Sequence, residues 1–467
     1  MSLHDHFKRN YRYYSLFCFI LLLLLFFYVR CFNDYFYFDD FVFLERSKIE
    51  HPSDVINFFS IELNKYGLKE KNHSYRPLST NFYFGFLRYF FGLNSIYYHI
   101  SNFIFLVLNS FLVFYLLNLL GIQRNSSAIV AFLYSICALN FESQLWLSVI
   151  QDLSVTFFLL LSIITYIVWK ERKSNLLYFL SVTFYFLAIL SKEMAVTLPV
   201  LLLIHDYLFS SKTRLGKTKP IIPYILITIL YLVFRSIYFI YPAEGSYAIK
   251  IGSFVFTFLA KYISWSINAL LLFNNILSYI FLIALFFFFI IKSGAKGRNY
   301  YLFGIMWFLV SLTPVLFLPN HIYKYYLIFP VIGFLLCLAK LMEDINRYIQ
   351  YNRGRIIIVI TFVTLFYAIS YSRFMETAHR MGHRTESFKR IVQYIKDQYP
   401  DVPDYTNFFF VFPPGFPSYA FLKNDGSVIR VIYDNPTLKG YEVTTEDNRN
   451  PNNLEKTGNI IVRVTEE

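Results

Sequence analysis

Two adjacent carboxylates, Asp39 and Asp40, stand directly after the first apolar segment of the chain. Paired carboxylates beside a membrane are costly unless they are solvated or used. Such a pair can bind a divalent cation such as Mg²⁺ or Mn²⁺, or one member can act as a general base toward an acceptor hydroxyl while the other tunes it. The alternative is a solvated turn at the end of a helix.

Three basic side chains in later segments are candidate ligands of a phosphate. Arg76 ends a long polar loop, Lys192 stands between two apolar runs, and Lys324 lies among tyrosines. A forked guanidinium suits a pair of phosphate oxygens, and an ammonium binds phosphate as a point charge. The plainer alternatives are an arginine that caps backbone carbonyls, a tight charged hairpin, and an aromatic belt with one lysine.

Acidic residues accompany these positions. Glu142 and Asp152 flank Trp146 and would add acidic groups to the same cavity. The alternative is an interfacial tryptophan beside two solvated acids. Glu193 follows Lys192 directly and would hold that lysine in place.

Three further residues are included as supporting members of the site. His99 and Asn102 lie one helical turn apart in the second apolar run, and Tyr326 follows the lysine-tyrosine motif. For His99 and Asn102, a hydrogen bond between helices is the simpler interpretation.

The composition indicates a protein with many membrane-spanning segments. Of the 467 residues, 56% are hydrophobic and 21% are aromatic, and the mean hydropathy is +0.46. A soluble domain of this length could not bury so much apolar surface. The net charge of +13 would suggest nucleic acid in a soluble protein. Here the cations cluster in short loops between apolar runs, as in membrane proteins, and no nucleic-acid partner is expected.

The four cysteines lie in or beside apolar runs and have no paired spacing. This distribution indicates small buried hydrophobic side chains rather than metal ligands or disulfides.

Apolar runs near the length of about 20 residues that crosses the hydrocarbon core predict eleven membrane-spanning helices. Their bounds are about 14–32, 96–119, 126–141, 152–169, 175–190, 194–209, 221–241, 275–291, 300–318, 326–342 and 355–373. The first is interpreted as uncleaved, because no small-residue cleavage site follows it. The segment 250–273 is interpreted as interfacial or re-entrant, because a full crossing would place the cations at 292–298 outside.

The distribution of basic residues predicts that the N-terminus is inside and the C-terminus outside. The long first loop, 33–95, is then outside, and the polar clusters described above all fall on the outer face. Carboxylates combined with arginine and lysine suit a dianionic lipid phosphate and a hydroxyl that must be activated. The sequence therefore predicts an all-α membrane module, residues 1–373, with an extracytoplasmic site.

Residues 374–467 differ in character, because hydrophobicity falls and Pro, Asn, Asp and Gly appear. The pattern predicts an amphipathic helix at about 384–398, strands at 407–412, 428–433 and 459–464, and turns at 413–415 and 424–426. This tail is interpreted as a small extracytoplasmic α/β domain. The sequence has no internal repeat, glycine-rich phosphate loop or HExxH motif.

Taken in order, these motifs form a series within about residues 15–345. After the first span, the series is Phe38-Asp39-Asp40, Tyr75-Arg76-Pro77-Leu78, His99-x-x-Asn102, the loop with Glu142 and Asp152, Leu190-Ser191-Lys192-Glu193, and Lys324-Tyr325-Tyr326 with Pro330 and Gly333. It resembles the GT-C integral-membrane glycosyltransferases. The resemblance is closest to the transmembrane O-mannosyltransferases that carry tetratricopeptide repeats, and to their bacterial relatives in the dolichyl-phosphate-mannose protein mannosyltransferase superfamily.

The resemblance implies packed membrane helices with a catalytic first outer loop. It also implies a polyprenyl-phosphate sugar donor that bears a hexose such as mannose, and inverting transfer on the outer face. Asp39 or Asp40 matches the catalytic acidic position, and Glu142 matches the acid of the second loop. Arg76, Lys192 and Lys324 match basic positions that hold the donor phosphate.

The chain departs from the repeat-bearing members, because its tail is short and rich in predicted strands. The acceptor can therefore be a protein, a lipid-linked glycan or a polymer of the cell envelope. Metal use differs across the superfamily, so a divalent cation at Asp39 or Asp40 remains an option.

Three other functions were weighed against this one. A flippase or transporter for a lipid-linked sugar would place charges at mid-membrane and usually contain internal repeats. An O-antigen ligase or polymerase would carry its large catalytic loop late in the chain, whereas here the long loop comes first. A non-catalytic scaffold would need no combination of acids and bases.

Overall fold

The computed structural model describes residues 18–61, 75–209, 219–239, 247–271, 288, 290–348, 352–413, 416–443 and 459–464. These residues are mostly helical, as the sequence predicts. The helices are α1 Cys18–Asn33, α2 Asp39–Arg46, α3 Pro52–Asn57, α4 Tyr83–Phe91, α5 Ser95–Leu119, α6 Arg124–Ile136, α7 Phe141–Leu145, α8 Ile150–Arg172, α9 Asn175–Ser191, α10 Leu198–Phe209, α11 Ile222–Tyr238, α12 Phe254–Leu271, α13 Ala295–Leu316, α14 Val331–Tyr348, α15 Asn352–Gln398, α16 Ser418–Phe421 and α17 Lys423–Tyr433. The strands are β1 Asn407–Val411, β2 Lys439–Glu442 and β3 Ile460–Arg463.

Several of these helices can cross a membrane by length and composition. Five described helices qualify: Ser95–Leu119, Leu147–Arg172, Lys219–Tyr238, Ala295–Leu316 and Ile357–Gln398. A bent pair, Arg124–Ile136 with Ala138–Leu145, would make six. The protein is therefore a multi-pass membrane protein. The count of eleven spans stays a prediction, and the predicted span 275–291 lies almost wholly outside the described residues.

The surface of α11 fits a hydrocarbon environment. Its exposed side chains include Leu226, Ile229, Leu230 and Val233. Contiguous exposed apolar surface of this kind is unusual in soluble proteins and marks contact with a membrane or a partner.

The predicted third span, 126–141, ends earlier than expected. Helix α6 stops at Ile136, and Cys137 has extended backbone angles, with φ −74° and ψ 150°. The following helical segment is bent by 43° relative to α6. The bend turns the acidic loop that contains Glu142 back against α5.

Two polar clusters lie near opposite ends of α8. Asp152 stands in its first turn and Lys170 in its last, about 27 Å apart at the usual helical rise. Lys170 pairs with Asp206 at 2.6 Å at the far end. One end of α8 carries Asp152 and lies beside the first loop. We call it the first-loop end. The structure places His205 and Asp206 at the other end, away from the candidate site.

The C-terminal region begins within a single long helix. Helix α15 contains both the predicted last span, 355–373, and the predicted amphipathic helix, 384–398. The predicted boundary between residues 373 and 374 thus falls inside α15. Beyond it lies a three-stranded parallel sheet in the order β2-β1-β3.

The prediction of a strand at 428–433 was wrong, because these residues belong to helix α17. Val428, Ile429, Val431 and Ile432 are buried. This spacing places their side chains on one helical face, although β-branched residues are typical of strands. The predicted turn at 424–426 is confirmed, since all three residues have left-handed backbone angles. Strand β2 was not predicted.

Candidate functional site

Helix α2 positions the two adjacent carboxylates in its first turn, where the helix dipole favours negative charge. Successive side chains on a helix point in different directions, so Asp39 and Asp40 occupy different environments. Asp40 faces the protein interior and is 1% exposed. The Asp39 side chain remains 25% exposed.

Asp40 is fully engaged by hydrogen bonds. Its Oδ1 accepts from the backbone N–H of Ser148 at 2.8 Å and from the Ser148 hydroxyl at 2.5 Å. Its Oδ2 accepts from the Tyr37 backbone N–H at 2.9 Å. Burial raises the pKa of Asp40 to about 7, although these donors oppose the shift. These contacts tie α2 to the turn Leu147–Val149 and suit an anchoring role.

Asp39 pairs with a residue that the sequence analysis missed. Lys423, at the start of α17, donates to the Asp39 carboxylate across a separation of 384 residues. The same ammonium lies 3.9 Å from the centre of the Phe38 ring. Nothing in the local sequence links Lys423 to the first loop. Asp39 is therefore the carboxylate of the pair that lies at an accessible rim.

Arg76 makes a forked ion pair with Glu193. Its Nε donates to Oε2 at 2.7 Å, and its Nη2 donates to Oε1. Its Nη1 also donates to the side-chain oxygen of Gln151 at 2.5 Å. Although burial opposes ionisation, Arg76 and Arg235 hold the pKa of Glu193 well below its usual range.

Lys192 pairs with Asp152, with 2.7 and 2.6 Å between Nζ and the two carboxylate oxygens. The prediction that Glu193 holds Lys192 was wrong. Lys192 has extended backbone angles, with φ −163°, and neighbouring side chains on extended backbone point to opposite sides. Lys192 therefore reaches α8 while Glu193 reaches Arg76.

Tyrosines of the turn Lys324–Leu327 cover Lys192. Its Nζ lies 5.2 Å from the ring centre of Tyr325 and 4.6 Å from that of Tyr326, in cation–π geometry. The structure thus brings Tyr326 next to Lys192. Lys324 itself is exposed, with its Nζ 6.0 Å from the Trp265 ring centre.

Glu142 lies at the same end, next to this tyrosine turn. The backbone N–H of Tyr325 donates to its carboxylate, and Lys324 is within electrostatic reach. Lys324 and Glu142 therefore lie in one region with the ion pairs of Arg76 and Lys192.

His99 and Asn102 support the site by holding backbone. The His99 ring nitrogens lie 2.9 and 3.1 Å from the carbonyl oxygens of Gln144 and Asp34. The Asn102 amide donates to the Ser143 carbonyl at 2.9 Å. Both side chains therefore fix the bent acidic loop against α5, a contact of the kind anticipated for polar residues within a membrane helix.

His321, which was not among the predicted site residues, is at the centre of these groups. Its ring is 4.4 Å from Tyr247 and 5.7 Å from Tyr326, centre to centre. It is within electrostatic reach of Arg76 and Lys192, and of Lys423. Burial lowers the pKa of His321 to about 3, and these cations add to the shift. The imidazole is therefore neutral near pH 7.

The electrostatic character of the site follows from these pairs. Each buried cation already has a carboxylate partner, which offsets the cost of burial. A guanidinium has five N–H groups and an ammonium has three. The contacts given above use three of the former in Arg76 and two of the latter in Lys192, so each cation has N–H groups beyond those contacts.

The predicted metal ligands, Asp39 or Asp40, do not fit a metal site. Mg²⁺ requires about six oxygen ligands in a near-octahedral arrangement. Both oxygens of Asp40 accept hydrogen bonds from the protein, and Asp39 pairs with an ammonium. Over the described part of the chain, no group of three or more His, Cys, Asp or Glu side chains could hold a metal ion.

Comparison with known proteins adds no family assignment. No protein-family model matches the chain, and a search of curated proteins gave no match.

Proposed function

We propose that this protein is an inverting membrane glycosyltransferase of the GT-C type. It transfers a sugar, a hexose such as mannose, from a polyprenyl-phosphate donor to an acceptor hydroxyl. The observation that carries the proposal is the convergence, at one end of an apolar helix bundle, of Asp39 with the ion pairs of Arg76 and Lys192. Tyr247 links them, because it is within electrostatic reach of both Asp39 and Arg76.

Each proposed role follows from the chemistry of the side chain. Asp39 takes the proton of the acceptor hydroxyl, and the acceptor oxygen bonds to the anomeric carbon from the face opposite the phosphate. The bond from that carbon to the phosphate oxygen breaks at the same time, which inverts the configuration. The polyprenyl phosphate leaves as an anion, so it requires cations more than a general acid. Arg76, Lys192 and Lys324 supply them.

The proposal places the site on the outer face of the membrane. The basic residues of the predicted inner loops support this orientation. The first-loop end then faces the extracytoplasmic side, together with the C-terminal region, and the membrane is the cytoplasmic membrane if the source is bacterial. The acceptor remains a lipid-linked glycan, a polymer or a protein.

The experiment is a sugar-transfer assay in nanodiscs. Purified protein is given polyprenyl-phosphate mannose or polyprenyl-phosphate glucose, with and without a chelator, beside Arg76→Met and Lys439→Met variants. Lys439 is an exposed cation of strand β2 and serves as the control. We expect release of sugar from the lipid that is lost in Arg76→Met, retained in Lys439→Met and unaffected by the chelator.

Two outcomes would contradict the proposal. One is the absence of sugar release with every donor. The other is movement of intact sugar lipid between leaflets of proteoliposomes without transfer, which would identify a flippase.

A further inference from the structure

Three buried polar atoms close to the candidate site lack a hydrogen-bond partner. They are Glu142 Oε2, Trp146 Nε1 and His321 Nδ1. Leaving a buried polar group unpaired is costly, so native proteins seldom keep such groups without a use. Three of them in one region point to a ligand with several hydroxyl groups.

Two of these atoms belong to aromatic rings that contact one another in sequence, and the third lies beside them, because the Glu142 carboxylate accepts a hydrogen bond from the Tyr325 backbone N–H. The Trp146 ring is 5.9 Å from Phe38 and 6.1 Å from Tyr325, centre to centre. Tyr325 is 5.0 Å from Tyr323. The His321 ring is 4.7 Å from Tyr323 and therefore closes the row. We call these five rings the aromatic row.

The position of the row relative to the proposed chemistry is specific. One end, at Phe38, directly precedes Asp39. Further along, Tyr325 lies against Lys192 at 5.2 Å. We therefore expect a donor whose phosphate is at Lys192, and whose anomeric carbon is within reach of a hydroxyl at Asp39, to have its sugar ring beside this row.

The chemistry of the row matches a pyranose. A sugar ring has an apolar C–H face, which packs on aromatic rings, and hydroxyl groups that both donate and accept. The Glu142 carboxylate accepts hydrogen bonds, and the indole N–H of Trp146 donates one. The neutral imidazole of His321 either donates or accepts at Nδ1 according to its tautomer.

We propose that Glu142, Trp146 and His321, on the aromatic row, form a subsite that binds the sugar ring of the donor. This inference rests on the proposed function and adds to it a set of residues that select for the sugar, distinct from those that hold the phosphate. His321 and Trp146 were not among the site residues that the sequence suggested.

The experiment compares two ligands that differ by the sugar alone. Affinities of the nanodisc-embedded protein are measured for polyprenyl-phosphate mannose and for bare polyprenyl phosphate. The variants are Trp146→Phe, Glu142→Gln and His321→Phe. Trp169→Phe, at the opposite end of α8, is the matched control, and a thermal unfolding scan checks that each variant is folded.

Wild-type protein is expected to bind the sugar lipid more tightly than the bare lipid phosphate. Loss of one hydrogen bond to a neutral group changes an equilibrium by about fivefold to tenfold, and somewhat more when a charged group is involved. Trp146→Phe and Glu142→Gln should therefore lower the affinity for the sugar lipid by such factors and leave the affinity for the bare lipid phosphate unchanged. Arg76→Met should lower the affinity for both lipids. Trp169→Phe should change neither affinity.

An equal loss of affinity for both lipids in the subsite variants would overturn the inference. The three unpaired atoms would then stabilise the fold or bind ordered water. Equal affinity of wild-type protein for the two lipids would overturn it as well, while leaving a phosphate site. Binding of neither lipid would refute both the subsite and the proposed function.

Discussion

Asp39 and Asp40 are neighbours in the chain, yet they lie in different environments. Three donors surround the buried carboxylate of Asp40, whereas Asp39 lies at the rim beside Lys423. The sequence predicted that the pair matters and left open which member is the base. That choice depends on Ser148 and Lys423, which are 108 and 384 positions away from their respective partners.

The pKa of Asp40 predicts a dependence of stability on pH. Its folded value of about 7 lies above the ordinary value of 3.8, so the folded state holds the proton more tightly. The contribution to stability is therefore complete below about pH 4 and is lost as the pH rises toward 7, by up to about 1 kcal/mol per pH unit. We expect a higher thermal midpoint at pH 5 than at pH 8.

The variant Asp40→Asn should reduce this difference. Asp34, whose pKa burial also raises to about 7, will keep part of it. Asp401→Asn, at an exposed position, should keep all of it. Thermal scans in detergent at the two pH values measure the effect, and an unchanged difference in Asp40→Asn would contradict the assignment.

At the scale of the elements, the helix pair α13 and α14 shows what positions the tyrosine turn. The two helices approach closely at Gly304 and Gly333, in the manner of small residues between membrane helices. A Cβ added at Gly333 would lie 2.9 Å from the Phe308 backbone nitrogen and 3.1 Å from Trp307 Cβ. Helix α14 begins at Val331, four positions after the end of the turn Lys324–Leu327 that carries Tyr326, so this contact bears on the site.

Gly333→Ala should therefore push the two helices apart. Overpacking of this kind costs about 1–3 kcal/mol, so we expect a clear fall in the thermal midpoint. Gly294→Ala is the matched control, since a Cβ there meets no atom within 4 Å and the residue has φ −58°. Equal midpoints for the two variants would show that the close approach is not required.

The sequence predicted helices better than their exact ends and better than the strands of the tail. Long apolar runs such as 96–119 specify helices by composition alone. The break at Ile136 was not predicted, because it depends on contacts that His99 and Asn102 make with the bent loop. The error at 428–433 arose because β-branched residues can line either a strand or the buried face of a short helix.

At the scale of the whole molecule, the C-terminal region is joined to the first loop by ion pairs. Arg430 of α17 pairs with Glu45 of α2 at 2.6 and 3.2 Å. Asp434 pairs with Lys48 and Arg88 at 2.6 and 2.9 Å. Long-range contacts of this type leave no signal in a single sequence, so the docking of the tail on the site could not be predicted.

We expect Arg430 to contribute more to the stability of this interface than the other ion pairs do. Besides Glu45, it donates to the backbone carbonyls of Asn424 and Asp425 at 2.6 and 2.9 Å. Removing one partner of a mostly buried ion pair destabilises the folded protein far more than removing one partner of an exposed pair. Arg430→Met should therefore accelerate amide hydrogen exchange in both α2 and α17.

The control is Arg390→Met, which removes an exposed pair with Glu386 on α15. Hydrogen exchange followed by mass spectrometry compares the two variants with wild-type protein. Unchanged exchange in α2 of Arg430→Met would mean that other contacts hold the two regions together.

Sugar transfer by the variant Asp39→Asn tests whether Asp39 is the general base. Turnover of polyprenyl-phosphate mannose in nanodiscs is compared for wild type, Asp39→Asn and the exposed control Asp401→Asn, with unfolding midpoints measured for each. A general base is expected to contribute a factor of about 10²–10⁴ in rate. We expect a loss of that order in Asp39→Asn, at an unchanged unfolding midpoint, and full turnover in Asp401→Asn. Wild-type turnover by Asp39→Asn would contradict it.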